Sequence, residues 1–193
     1  MGYCDWSLKA IYKNYHDNEW GVPVYDDLKQ FEHLSMEVMQ CGLSWQLMLK
    51  KREIFRKCFA DFDFEKIALF DEDKLKQILS TQGMIASKAK ILAIINNARV
   101  FKKIRAEFGS FSAYLWAFTE NKVLIYRSHA KTQVPASNDL STHIAKELKK
   151  HGFKFLGPIT VYSHLQACGI INDHDPSCPC YKQIIENFDI TYL

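Results

Sequence analysis

Thr81-Gln82-Gly83-Met84-Ile85-Ala86-Ser87-Lys88-Ala89-Lys90 stands between two helical patterns, and reading it decides the fold. On its N-terminal side, Asp71 or Asp73 caps a helix through Leu75, Ile78 and Leu79. On its C-terminal side, Ile91, Ile94, Ile95, Ala98, Phe101 and Ile104 recur at helical spacing until Gly109 stops them. Gly83 supplies the turn and Ser87 an early cap, so the segment is a helical hairpin. The first backbone N–H groups of the second helix have no intrahelical partner. With Lys88 and Lys90 beside them they form a ready phosphate site, although many such hairpins bind nothing.

Outward from this hairpin the pattern stays helical. Asp26 or Asp27 caps a helix running to about Cys41, with Leu28, Phe31, Leu34, Val38 and Met39 on its inner face and Glu37 at the edge of that stripe. Gly42-Leu43-Ser44-Trp45 breaks it, and Ser44 caps the next. There Trp45, Met48, Phe55, Cys58 and Phe59 face inward, while Lys50, Lys51, Arg52, Arg56 and Lys57 read as a solvated face. A short helical piece is expected over 67–70 and an aromatic one over 111–118. Ser137 or Asn138 caps a helix ending at Gly152, and Gly157-Pro158 opens the last clear one, to Gly169. Residues 119–136 are irregular, with 123–126 extended. Sustained period-2 alternation is missing, and the predicted class is all-α.

The chain of 193 residues is 48% hydrophobic and 24% charged, with a net charge of +3. That is an ordinary globule of one domain or two tightly joined lobes, mildly basic enough to permit nucleic acid. No apolar run approaches the roughly 18 residues of a membrane span. No signal peptide is evident at Met1-Gly2-Tyr3-Cys4-Asp5-Trp6. These features predict a cytoplasmic protein without a membrane partner, whose six cysteines are reduced, buried or metal-bound.

Two stretches carry chemistry. Residues 12–23, Tyr-Lys-Asn-Tyr-His-Asp-Asn-Glu-Trp-Gly-Val-Pro, have aromatics too irregular for one apolar face. They read as an aromatic turn whose flat rings and polar groups suit a nucleobase. Near the C-terminus, His174 and Cys178 are spaced to face one ion, and imidazole with thiolate suits Zn²⁺. Cys4 and His16 offer two further ligands, with Cys180 as an alternative to Cys178. Four protein ligands would make such a metal structural, one per chain, tying the two ends of the chain together.

Four blocks then show a resemblance: Tyr15–Pro23, Gly42–Trp45 with Leu49–Glu53, Lys149–Pro158, and Gln166–His174. In order and across nearly the whole chain, they resemble the bacterial 3-methyladenine DNA glycosylase I family. The resemblance implies a helix-hairpin-helix lobe over about 25–135, with its hairpin near 82–90. It also implies a lobe of 1–24 plus 136–193 pinned by zinc on Cys4, His16, His174 and Cys178. It makes Glu37 the catalytic pocket carboxylate, Trp45 the stacking ring, and Tyr12, Tyr15 and Trp6 further pocket walls. It makes Leu43, beside Gly42, the wedge left in the duplex, and gives Lys88 and Lys90 to the phosphate clamp. The implied partner is double-stranded DNA containing 3-methyladenine, attacked by a monomer that flips the base, hydrolyses its glycosidic bond and has no lyase activity. A broader alkyl-purine glycosylase and a non-catalytic zinc-stabilised DNA-binding protein are the alternatives. Three departures stand out. No Asp lies between Asp73 and Asp139, as in this family but not in related hairpin glycosylases; the hairpin has one glycine; and His164 occupies a place where an aromatic is expected.

Overall fold

The structure is a computed structural model describing residues 2–130 and 133–193. Residues 131 and 132, part of the irregular 119–136 stretch, lie outside the described residues. Among those described, ten α-helices are joined by short turns and 3-10 segments. The only sheet among the described residues is a parallel pair of three-residue strands, β1 (Val123–Ile125) and β2 (Ile190–Tyr192). The all-α expectation holds, with this small sheet added.

The hairpin forms as read. Helix α5 (Glu72–Ser80) is capped by the Asp71 side chain, the turn passes through Gly83, and α6 (Lys88–Phe108) ends at Gly109. Ile91, Ile94, Ala98, Phe101 and Ile104 of α6 are fully buried. The core centres on α6 and on α2 (Asp27–Gln40), which is capped by Asp26. Phe101 meets Phe111, Phe64 and Phe31 at ring distances of 4.2, 4.7 and 5.2 Å. Phe111 starts α7 (Phe111–Trp116), and the backbone N–H groups of Phe111 and Ser112 donate to the Asp27 carboxylate at 3.2 and 2.9 Å. Helices α8 (Asp139–His151) and α9 (Pro158–Ala167) complete the enclosure, α9 packing on α2.

The structure corrects several expectations. Residues 12–23 are not simply a turn: Ala10–Asn18 form helix α1, and the turn follows at Gly21. No single apolar face was needed, because α1 is anchored through two adjacent residues, Tyr15 and His16, both buried. Leu28 is 48% exposed, since the first turn of α2 lies at the surface end of the helix. The short helix α4 is Phe64–Ile67 rather than 67–70, because the Asp63 side chain accepts from the N–H groups of Glu65 and Lys66 and starts it early. A tenth helix, α10 (Pro179–Asn187), follows α9. It buries little beyond Ile184, so its hydrophobic pattern was too weak to read.

The basic side of α3 (Trp45–Cys58) is not wholly solvated. Arg52 donates to both Glu19 oxygens, at 2.8 and 2.7 Å, and to Glu32 at 2.8 Å. Lys29 bonds the same two carboxylates. Burial alone would raise Glu19 and Glu32, yet hydrogen bonds from Arg52 hold both down at about 2. This network straps the end of α1 to α2 and α3. Arg52→Ala is expected to cost about 2–3 kcal/mol in urea unfolding, by leaving two half-buried carboxylates short of a partner. A loss under about 0.5 kcal/mol would show the network to be an ordinary surface one.

Candidate active site and metal centre

Helix α2 delivers Glu37 to the floor of a small cleft of about 210 Å³. The sequence put Glu37 at the edge of the apolar stripe. In the fold it is 4% exposed, and burial pushes its carboxyl up to about 8. The walls are Tyr15 from α1, Trp45 from the first turn of α3, and Trp6, with Trp20, Gln40, Ser163 and Gln166 completing the lining. Tyr15 and Trp45 lie 5.3 Å apart at 47°, and the Trp45 indole N–H is buried without a protein partner. Burial, and then the Glu37 charge, pushes the Tyr15 hydroxyl well above its usual range, so it stays a neutral donor. A buried acceptor, two donors and aromatic plates are what a flat base with polar edges requires.

Tyr12 does not line this cleft. Its ring lies edge-on to Trp6 at 5.8 Å, which places it behind a wall rather than in the pocket. Trp20 does line it, edge-on to Trp6 at 4.9 Å. Sequence reasoning passed over Trp20, Gln40, Ser163 and Gln166. Only their presence in the same quoted or neighbouring blocks hinted at them. His164 is 2% exposed with neither ring nitrogen bonded, and burial depresses it to about 4, so it is a neutral core residue. A larger cavity of about 920 Å³ adjoins the cleft across Trp6, Trp20 and Gln166, but Glu37, Tyr15 and Trp45 do not reach it.

The cleft opens beside two exposed elements. After α2, Gly42 adopts φ +77° with open space where a side chain would sit, and Leu43 is 37% exposed at the tip. Gln40 donates to the Leu43 carbonyl at 2.9 Å and steadies this tip. On the hairpin, Ser87 makes no side-chain cap, and Lys88 is exposed. Lys90 is placed differently from Lys88. Its ammonium donates to the carbonyls of Met39 and Cys41, at 2.7 and 2.5 Å, and so satisfies the C-terminal end of α2. The hairpin and the Leu43 tip are therefore tied together through Lys90.

Behind the cleft, Cys4, His16, His174 and Cys178 are all buried and converge as a group that could hold a metal ion. The His16 Nε2 to His174 Nδ1 distance is 3.2 Å. Sulfur-to-nitrogen distances are 3.6 Å for Cys4 with His174, and 3.7 and 3.9 Å for Cys178 with His16 and His174. Tetrahedral zinc bonds would set such edges at about 3.3 Å between nitrogens and about 3.6 Å between nitrogen and sulfur, so the set fits. The far ring nitrogens are held as metal-ligand histidines require: His174 Nε2 on the Trp20 carbonyl at 3.0 Å, and His16 Nδ1 on Asp17 at 2.8 Å. Cys180 lies on the far side of the His16 ring, 4.0 Å from Nδ1, outside the four. Gly21, at φ +80°, packs so closely on His174 that an added Cβ would lie 2.6 Å from its Nε2.

With this geometry described, comparison with known proteins is direct. The family model for methyladenine glycosylase matches residues 6–182. DNA-3-methyladenine glycosylase 1 of Escherichia coli (strain K12) is 41% identical over 182 residues, 94% of this chain and 97% of that protein. A crystal structure of 3-methyladenine DNA glycosylase I superposes with a TM-score of 0.87 at 43% identity, covering 93% of this chain and 99% of the other. The structure of the Staphylococcus aureus 3-methyladenine DNA glycosylase I, concerned with recognition of 3-methyladenine, gives a TM-score of 0.86 at 36% identity, over 93% and 96% of the two chains.

Proposed function

This chain belongs to the methyladenine glycosylase family, and from that premise we propose that it excises 3-methyladenine from DNA by hydrolysing the N-glycosidic bond. The observation that carries the proposal is Glu37, a buried carboxylate at the base of an aromatic cleft with no protein cation among the causes of its shift. Such a site gains most from a ligand that carries positive charge. N3-methylation makes adenine cationic, and a cation entering the cleft would draw the Glu37 carboxyl into its charged form. The ionised carboxylate would then accept from the base edge while Tyr15, Trp45 and Trp6 present ring faces to the charge. The methylated base is already a good leaving group, so recognition and water access matter more than strong acid catalysis. Among the described residues the cleft is lined by no lysine that could form a Schiff base, and hydrolysis without lyase chemistry is the reaction proposed.

In this reading duplex DNA lies across the Leu43 tip and the start of α6. Leu43 fills the gap left by the flipped base, with Gly42 allowing close approach. The free N–H groups at Lys88 and the Lys88 charge grip a phosphate, and Lys90 holds the tip in place. The four buried ligands hold one structural zinc ion, which fixes α1 and hence Tyr15. The protein acts as a monomer in the bacterial cytoplasm.

Release of free base from alkylated duplex DNA tests the activity. We expect 3-methyladenine in the released fraction, and its absence would overturn the proposal. For the wedge, Leu43→Ala is expected to weaken binding to lesion-bearing duplex about tenfold, with much less effect on single strands. Equal losses on both would remove Leu43 from that role.

A further inference from the structure

The side chain of Asp173 is 1% exposed and receives three hydrogen bonds. Its Oδ1 is paired with His129 Nδ1 at 2.7 Å. Its Oδ2 accepts from the Tyr162 hydroxyl at 2.7 Å and from the Gln166 amide nitrogen at 2.8 Å. Gln166 also lines the base cleft. Asp173 Oδ2 is the acceptor at this contact, as it is for the Tyr162 hydroxyl, so the amide group facing it is the NH₂; a flipped amide would set oxygen against oxygen. The orientation of Gln166 is thus dictated by chemistry. Its carbonyl oxygen accepts from no described residue and is the amide atom left for a ligand.

The orienting carboxylate is itself held on both sides. Just before it, Leu124 of β1 brackets the chain, donating to the Ile170 carbonyl at 2.8 Å and accepting from Asn172 N–H at 2.9 Å. Just after it, His174 is one of the four converging ligands. Asp173 is therefore anchored through the backbone on both sides.

We infer that Gln166 is a specificity-determining residue: its carbonyl, oriented by Asp173, accepts a hydrogen bond from the exocyclic amino group of the extruded purine. This inference rests on the glycosylase reading of the same cleft. With Glu37 it places two acceptors in one small pocket. A 6-amino purine can donate to them, whereas a 6-oxo purine presents lone pairs to lone pairs. Asp173 acts as a positioning residue, touching no part of the base.

The test compares kcat/KM on duplexes carrying either 3-methyladenine or 3-methylguanine. Gln166→Leu is expected to lose about tenfold on 3-methyladenine, roughly one hydrogen bond, and much less on 3-methylguanine, so the ratio collapses. Asp173→Asn, which lets the amide turn, should shift the ratio in the same direction. Equal losses on both substrates, or an unchanged ratio, would overturn the inference. Binding of free 3-methyladenine and free 3-methylhypoxanthine to the wild-type protein, read by tryptophan fluorescence, needs neither variant nor turnover. Preference for the amino base supports the inference, and equal affinity overturns it. Failure of the wild-type protein to release 3-methyladenine would count against the function reading, whereas this binding comparison would still decide the role of Gln166.

Discussion

Glu37→Gln is expected to lower kcat/KM for 3-methyladenine release about a hundredfold and to erase its dependence on pH. The substitution keeps shape and one carbonyl acceptor but removes the charge. A buried charge-assisted hydrogen bond is worth roughly 2–3 kcal/mol, which sets the size of the loss. In the free protein, burial raises this carboxyl to about 8. Since kcat/KM reports the free protein's ionisations, wild-type activity should climb as pH rises through about 8, and the variant should be flat. A flat wild-type profile between about pH 6 and 9 would remove the ionised carboxylate from recognition.

The same group makes a stability prediction of opposite sign. Its folded pKa lies above the unfolded value, so the folded state binds more protons between about 4.5 and 8. Its contribution is fully favourable below the unfolded value and is lost as pH rises through the folded one. Glu37→Gln should therefore unfold at a higher temperature than wild type, with the gap widening across that window. The gain, on the order of 1–3 kcal/mol at pH 8, would mark the stability given up to keep an acid in an apolar cleft.

Disabling the proposed metal site, by Cys4→Ser or by a strong chelator, is expected to cost more stability than any other change considered. Loss of a metal belongs among the few mechanisms that cost about 4 kcal/mol or more, which for a chain of this size lowers Tm by roughly 10 °C. The reason lies in what the ligands join. Cys4 and His16 come from the first elements and His174 and Cys178 from the last, and burial pushes the Cys4 thiol up to about 12, so only a nearby cation would keep it as thiolate. Without the ion, the four buried side chains keep only weak contacts with one another, at 3.2–3.9 Å. Base release should fall with stability, because His16 and Tyr15 are neighbours on α1. Elemental analysis should find about one zinc per chain in the wild type. No metal in freshly purified protein, or an unchanged Tm in the variant, would refute the site.

Much of this was legible before the fold was known, for local reasons. Helical periodicity at Ile91–Ile104, the caps at Ser44 and Asp71, and the stops at Gly109 and Gly152 depend on neighbours a few residues away. The sequence states them directly, and the helices formed there. Of the converging ligands, His174 and Cys178 were readable from their close spacing, whereas Cys4 and His16 have no such pattern and the full set was implied by the resemblance.

What failed was decided at long range. Residues 10–18 lack one apolar face because α1 is pinned on two sides at once, by the cleft through Tyr15 and by the ligand cluster through His16. Periodicity measures one face and cannot see that. Arg52 looked solvated until Glu19 and Glu32, brought in from other helices, surrounded it. Lys90 looked free until the end of α2 arrived beneath its ammonium.

By itself, then, the sequence determined the succession of helices, the hairpin, and a Cys/His set able to bind a soft divalent ion. Only the tertiary structure decided that Glu37 is buried, that Trp20 rather than Tyr12 lines the cleft, that Cys178 rather than Cys180 joins the ligands, and which end of the Gln166 amide faces Asp173. Helix formation depends on the next few residues along the chain. Burial, ring orientation and the direction of an amide depend on atoms that are distant in sequence and meet only when the chain closes on itself.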